Sequence, residues 1–303
     1  MKRILFVLML VVAAIICSCS KLAPVCEPAY VYASFDVSMD NTTKATIDGD
    51  GAAGHVNRCV LQIWKGDEIY KTVVRTAPAG TREYSFKGVT LDPECTYDFL
   101  FWADCGTAEG GDLYYSTESL RSVRMLCPEG CNNDAADAFC NRISGCTIDS
   151  VYETELILRR PLAQLNVIAA DLPQIEQLPL CEEFRPQSVS YSYSACTGFD
   201  VLEGKTVGEA VAVSVTDAPV YGVTTQDGMR TLAMTYLFPQ DGDAVVGFDL
   251  AVRNGNGTVV TGHVDNLPLK INWRTNVIGN LLTVKGGFSV SVVPMFDGET
   301  SVL

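Results

Sequence analysis

The stretch FDLAVRNGNGTVVTGHV, residues 248–264, decides the fold class. Phe248, Leu250 and Val252 alternate with other residues, the period of a strand that buries one face. The run then enters Arg253-Asn254-Gly255-Asn256-Gly257 and returns through Thr258 to Val264. Tight hairpin turns need positive φ, which Asn and Gly reach at least cost, so Asn-Gly twice between two β-rich runs predicts a hairpin.

Working outward, the same grammar recurs. Val189, Tyr191 and Tyr193 alternate with Ser188, Ser190, Ser192 and Ser194, and FSVSVV at 288–293 alternates before Pro294. CVLQIW (59–64) and IYKTVVR (69–75) flank Lys65-Gly66-Asp67-Glu68, a second hairpin connection. Tyr84, Phe86 and Val89 lead through Asp92-Pro93 into YDFLFWAD (97–104), which is apolar on both parities and so predicts a strand buried on both sides. Residues 30–38 (YVYASFDVS) form the first candidate strand. Helix is confined to a turn or two near Thr117–Arg124 and Asp134–Ile143. Turn residues recur about every ten positions with no βαβ alternation, so the class is all-β sandwich rather than parallel α/β.

Residues 155–169 read as a single strand, with Ala163, Leu165, Val167 and Ala169 on one face. Pro161 cannot donate to a ladder, which places that strand at an edge or on a bulge. The Cys-, Gly- and Asn-rich stretch 127–150 marks a boundary, giving an N-terminal sandwich over 29–150 and a C-terminal one over 151–303. No internal repeat is evident in the sequence.

The first residues belong to a different segment. Lys2 and Arg3 precede an uncharged apolar run, Ile4 to Ile16. That length suits a secretory leader and is shorter than the roughly 20 residues a membrane-spanning helix needs. Ile16-Cys17-Ser18-Cys19 has an aliphatic residue three before Cys19 and a small one just before it, the pattern of a bacterial lipobox. The expected division is a leader over 1–18, lipidation at Cys19, and a tether over 19–28. Several acyl chains hold a protein on a membrane stably where one does so only marginally.

Without residues 1–18 the chain keeps 285 of its 303 residues, enough for two cores. Its net charge of −14 becomes −16 once Lys2 and Arg3 leave, and Arg159-Arg160 is the only later pair of adjacent cations. Phosphate binding needs clustered cations, so nucleic acid is not an expected partner. Ten cysteines follow Cys19, all before residue 197, which predicts disulfides in the first two-thirds of an exported chain. Cys127, Cys131, Cys140 and Cys146 lack the repeated close pairs of a zinc site.

No nucleophile elbow, phosphate loop, zinc-protease helix or dinucleotide glycine motif is present. No enzyme activity, cofactor or metal is expected. His55 and His263 read as solvated residues, and Asp48-Gly49-Asp50-Gly51 as a turn, because Cys59 stands where a calcium loop needs its Glu. Trp64, Trp102 and Trp273 sit at strand positions and read as core rather than a glycan platform.

Several separated segments carry a resemblance. LRRPLAQLNVIAADL (158–172), YDFLFWAD (97–104), MTYLFP (234–239), NWRTNVIGNLLT (272–283) and MFDGE (295–299) together resemble the Bacteroidetes fimbrillin-like lipoproteins, over roughly residues 29–300. The branch concerned carries a domain of unknown function related to major and minor fimbrial subunits. The resemblance implies two consecutive transthyretin-like β-sandwich domains with little helix, a lipoprotein precursor, and display at the outer membrane. In related subunits a trypsin-like protease cuts after an early Arg and frees the first strand, so that a neighbour's strand can complete the sheet. Carried here, it points to Arg58, with Lys44 the other basic residue of that segment. Only ten residues follow Val293, so a long C-terminal donor extension is not expected. Two roles remain open: a fimbrial structural subunit or fimbria-associated adhesin contacting other fimbrial subunits, or a monomeric surface lipoprotein binding host or dietary glycans or a partner protein.

Overall fold

The computed structural model describes residues 30–40, 53–177, 181–220, 229–240, 245–282 and 288–293. Cys19, Cys26, Lys44 and the Asp48–Gly51 turn lie outside the described residues. The first half of the chain forms β1 (Val31–Met39), β2 (Arg58–Lys65), β3 (Glu68–Thr76), β4 (Glu83–Leu91) and β5 (Cys95–Asp104). After the short β6 (Tyr115–Ser116) and β7 (Val123–Met125) come β8 (Ala138–Ile148) and β9 (Tyr152–Leu158). The second half forms β10 (Ala163–Ala169), β11 (Pro186–Asp200), β12 (Lys205–Asp217) and β13 (Arg230–Leu237). It closes with β14 (Val245–Asn254), β15 (Val259–Pro268), β16 (Arg274–Gly279) and β17 (Phe288–Val293).

Two sandwiches result, as the resemblance implied. In the first, sheet β4-β1-β9 faces sheet β3-β2-β5-β8. Between them Phe35, Val37, Leu61, Ile63, Phe86, Phe99 and Phe101 form one core. In the second, β13-β10-β16-β17 faces β12-β11-β14-β15 across Leu165, Val167, Tyr191, Tyr193, Phe248, Leu250 and Val277. The ladders correspond strand for strand. β1 pairs β4 antiparallel and β9 parallel, and β10 pairs β13 antiparallel and β16 parallel. The other sheets match in the same way, β2 with β11, β3 with β12, β5 with β14 and β8 with β15. Two elements break this repeat: β17, and residues 105–137, whose β6 and β7 join β11 of the second sandwich.

A third core joins the halves. Val60, Trp64, Leu100 and Trp102 project from the back of the β2–β5 sheet and meet Tyr115, Leu120 and Val123, then Phe199, Met234, Tyr236 and Phe238. YDFLFWAD is apolar on both parities because its two faces serve two cores: Tyr97, Phe99 and Phe101 the first sandwich, Leu100 and Trp102 the junction.

Both expected hairpins form, β2–β3 with Gly66 at φ 63° and β14–β15 with Gly257 at φ 83°. Three readings are corrected. Thr117–Arg124 is not helical, and within 134–143 only Asp134–Ala136 makes a single 3-10 turn; Ala138 onward is β8. Residues 155–169 are not one strand: β9 ends at Leu158 and β10 starts at Ala163 in a different sheet, with Pro161 in the crossing. The boundary expected between 150 and 151 falls just before β9, whose ladder partner is β1, so the chain changes sandwich only at 159–162.

Candidate functional site: the first strand and the clamp beside it

β1 is a central strand. Ala33, Phe35, Val37 and Met39 alternate inward and are buried. Phe35 packs its ring 4.8 Å from Phe99 and 5.3 Å from Phe101. One edge pairs with β4 from Val31↔Leu91 to Ser38↔Glu83, the other with β9 from Ala33↔Tyr152 to Met39↔Leu158. Beyond the strand, Asp40 N–H donates to Leu158 O at 2.9 Å. Withdrawing β1 alone would break two ladders and uncover Phe86, Leu91, Phe99 and Phe101 along a groove one strand wide. Backbone groups in that groove could be satisfied only by another extended segment.

Arg58, the expected maturation site, stands elsewhere and does something else. It opens β2, pairs in register with Thr76 on one side and Asp104 on the other, and is 1% exposed. Its guanidinium grips Asp104 through two bonds, Nε to Oδ1 at 2.5 Å and Nη2 to Oδ2 at 2.9 Å. Nη1 donates at 3.0 Å to both Gly110 O and Asp112 Oδ1. Trp102 Nε1 donates to Asp104 Oδ2 at 3.0 Å. Arg58 therefore clamps the start of the 105–137 insertion against the sheet. The fit is close: a Cβ on Gly106 would lie 2.4 Å from Arg58 Cδ. A protease needs an exposed, extended substrate, so the bond after Arg58 is out of reach in this fold. The sequence shows the basic residue but not its partner: the hairpin pattern pairs β2 with β3, and nothing local pairs it with the strand that Asp104 closes.

The outer face of the first sheet is acidic. Tyr32, Asp36 and Ser38 point outward from β1, and Asp36, Ser38, Glu83, Ser85 and Glu155 line a cleft of about 480 Å³. Lys87 bonds Asp36 at 2.6 Å and holds its carboxyl below the usual range, helped by Ser85. Tyr30 and Tyr32 are each half exposed at one end of this face.

The remaining candidates scatter. Trp64 and Trp102 are core, as expected, and Trp273 is partly covered with Lys270 4.4 Å above its ring. His263 is exposed on β15, its Nδ1 2.6 Å from Asp249 Oδ1 and its Nε2 3.2 Å from Asp265 Oδ1. The Asp249 bond leads in raising its pKa. The expected disulfides are absent among the described residues, where Cys59, Cys95, Cys105, Cys127, Cys131, Cys140, Cys146 and Cys196 are all thiols. Cys59 lies in the first core while Cys131 and Cys196 lie in the junction. Burial pushes the Cys131 and Cys140 thiols up to about 12, which keeps them protonated and unreactive.

A model of a family of unknown function, DUF6562, matches residues 29–302. No curated protein matches in sequence. Among solved structures, the tip fimbrial protein Mfa3 of Porphyromonas gingivalis, with a C-terminal truncation, matches with TM-score 0.50 and 12% identity over 88% of this chain and 100% of its own. A candidate cell adhesion protein from Bacteroides uniformis matches with TM-score 0.52 and 11% identity, covering 88% and 99%. Another from Bacteroides ovatus gives 0.50 and 14%, covering 88% and 98%. At these identities the likeness is one of fold, and it spans both sandwiches.

Proposed function

We propose, from the premise that this chain belongs to the family of unknown function DUF6562, that it is a non-enzymatic cell-surface protein of the fimbrial subunit or adhesin kind. In this reading the lipid on Cys19 carries the chain to the outer membrane, and β1 is the strand exchanged between subunits. The observation that carries it is the position of β1 at the centre of its sheet, paired on both edges, with four consecutive inward positions filling the core. The fold shared with a tip fimbrial protein and with candidate adhesion proteins supports the same role. A cut that frees β1 falls in the segment between Met39 and Ala53; Lys44 supplies a basic residue there, since the clamp withholds Arg58.

The test is mass spectrometry of the protein taken from its own cell surface, run beside unheated denaturing gels. Lipid on Cys19 in the precursor, a mature N-terminus between residues 40 and 53, and detergent-resistant ladders are the expected results. A single species that keeps residues 30–40 and runs as a monomer would sink strand exchange. That outcome fits the second reading, a monomeric surface lipoprotein that binds glycans or a partner protein, which the acidic cleft on the outer face of the first sheet favours.

A further inference from the structure

β1 does not meet β4 residue for residue. Ala33 pairs with Val89 and Phe35 with Phe86, so Lys87 and Gly88 together lie opposite Ser34 alone. The extra residue makes a β-bulge, and Gly88 takes the left-handed conformation there, at φ 61°. The Gly88 N–H donates to a side chain across the bulge, Ser34 Oγ at 3.2 Å. The next residue, Phe35, is fully buried, its ring 4.8 Å from Phe99, 5.3 Å from Phe101 and 6.0 Å from Tyr152. The preceding residue, Ala33, is buried as deeply, and its site holds one methyl group. The place of β1 thus offers three unlike sites in order, for a methyl, a hydroxyl and a ring.

Alternation by itself does not fix how a strand lies in this place. A slip of one residue turns every side chain over, but a slip of two keeps inward residues inward. Slipped two residues one way, the Phe35 ring falls on the methyl site of Ala33. Slipped two the other way, Ala33 falls on the ring site and Tyr32 on the bulge, so Phe99 and Phe101 lose their cover and Gly88 loses the hydroxyl. We propose that the β4 bulge is a register key for strand exchange. The strand that enters the place of β1 from another chain carries Ser or Thr directly before an aromatic residue, the hydroxyl accepting from Gly88 N–H and the ring filling the site beside Phe99 and Phe101. This rests on the exchange of β1 proposed above and names the chemistry of the incoming strand. The Asp36–Lys87 pair beside the key is about half exposed, so solvent screening leaves it a smaller share of the selection.

Peptide exchange tests it, on the chain from Cys19 to Leu303 made without lipid and given a site-specific protease sequence between residues 41 and 52. After the cut, an isotopically labelled peptide of residues 30–40, YVYASFDVSMD, competes with β1 for its place, and native mass spectrometry reads the fraction exchanged. Ser34→Thr and Ser34→Val peptides are the decisive pair, because both residues favour strands and their side chains differ only in the hydroxyl. The Thr peptide should compete like the parent and the Val peptide about fivefold less well, the worth of one hydrogen bond. Thr and Val peptides of equal strength overturn the key and leave strand exchange standing. If the parent peptide itself never enters the cut chain, strand exchange fails and the key for an incoming strand falls with it. A second measurement needs no exchange. In the uncut chain the Gly88 amide should exchange its hydrogen faster with Ser34→Val than with Ser34→Thr, and equal rates likewise overturn the key.

Discussion

The two sandwiches share a ladder and differ in what they do with its end. Arg58 opens β2 opposite Asp104 at the close of β5; at the matching place Pro186 opens β11 opposite Asn254 at the close of β14. In the first sandwich the pair is a buried ion pair that reaches on to Gly110 and Asp112 and fixes the insertion. In the second it is an amide: Asn254 Nδ2 donates to Leu282 O at 2.8 Å. Asp171 accepts from Leu281 N–H at 3.2 Å and from Leu282 N–H at 3.0 Å beside it. Each half thus uses one ladder position to tie down the element its counterpart lacks, residues 105–137 in one and the approach to β17 in the other. The repeat supplies the frame, and chemistry at its ends supplies the differences.

The largest expected effect breaks the charged end. Asp104→Ala leaves the Arg58 guanidinium buried beside an empty site and should cost about 3–5 kcal/mol in chemical denaturation. It should also loosen residues 105–112, so trypsin should cut after Arg58 in the variant and not in the parent. A loss below about 1 kcal/mol, with no new cut, would mean the pair is a bystander and that the paired strands alone hold residues 105–112 and withhold Arg58.

That the clamp went unread in the sequence while β2 and β5 were read correctly has a physical reason. Strands announce themselves by local period, and CVLQIW and YDFLFWAD carry theirs within a few residues. The Arg58–Asp104 pair depends on register between strands 46 positions apart, which no local pattern states. The repeat was hidden likewise: it resides in pairing order, and Arg58 with Asp104 leaves no trace in Pro186 with Asn254. Residues 155–169 misled in the opposite direction. Their apolar period continues smoothly across Pro161, yet Arg160 turns inward to a two-bond contact with Asp137 at 2.6 Å, and the chain changes sheet there. The reading of Cys19 as a lipid site rests on a pattern that is local, and Cys19 lies outside the described residues.

The neutral end should break more gently. Asn254→Ala removes the donor to Leu282 O and leaves a buried carbonyl unsatisfied, a loss of about 1–3 kcal/mol. If its cost equals that of Asp104→Ala in the same denaturant series, the two ends are energetically alike and charge is not what distinguishes the halves.

The smallest effect separates the halves by pH. β15 corresponds to β8, which carries one charged residue, Arg142, and no histidine. On β15, His263 lies between Asp249 and Asp265, and their carboxylates raise its pKa above the usual value of about 6.5. Because the folded pKa is the higher one, the stabilisation is complete below the unfolded value. It is lost as pH climbs from there through the folded value. His263 is half exposed, so the gain is modest and salt should erode it. His263→Gln should therefore lie furthest below the parent in melting temperature at about pH 5–6, and the gap should close toward about pH 9. A gap independent of pH would show that the two aspartates do not act on the imidazole, and that this edge of the second sandwich is no more pH-sensitive than its counterpart in the first.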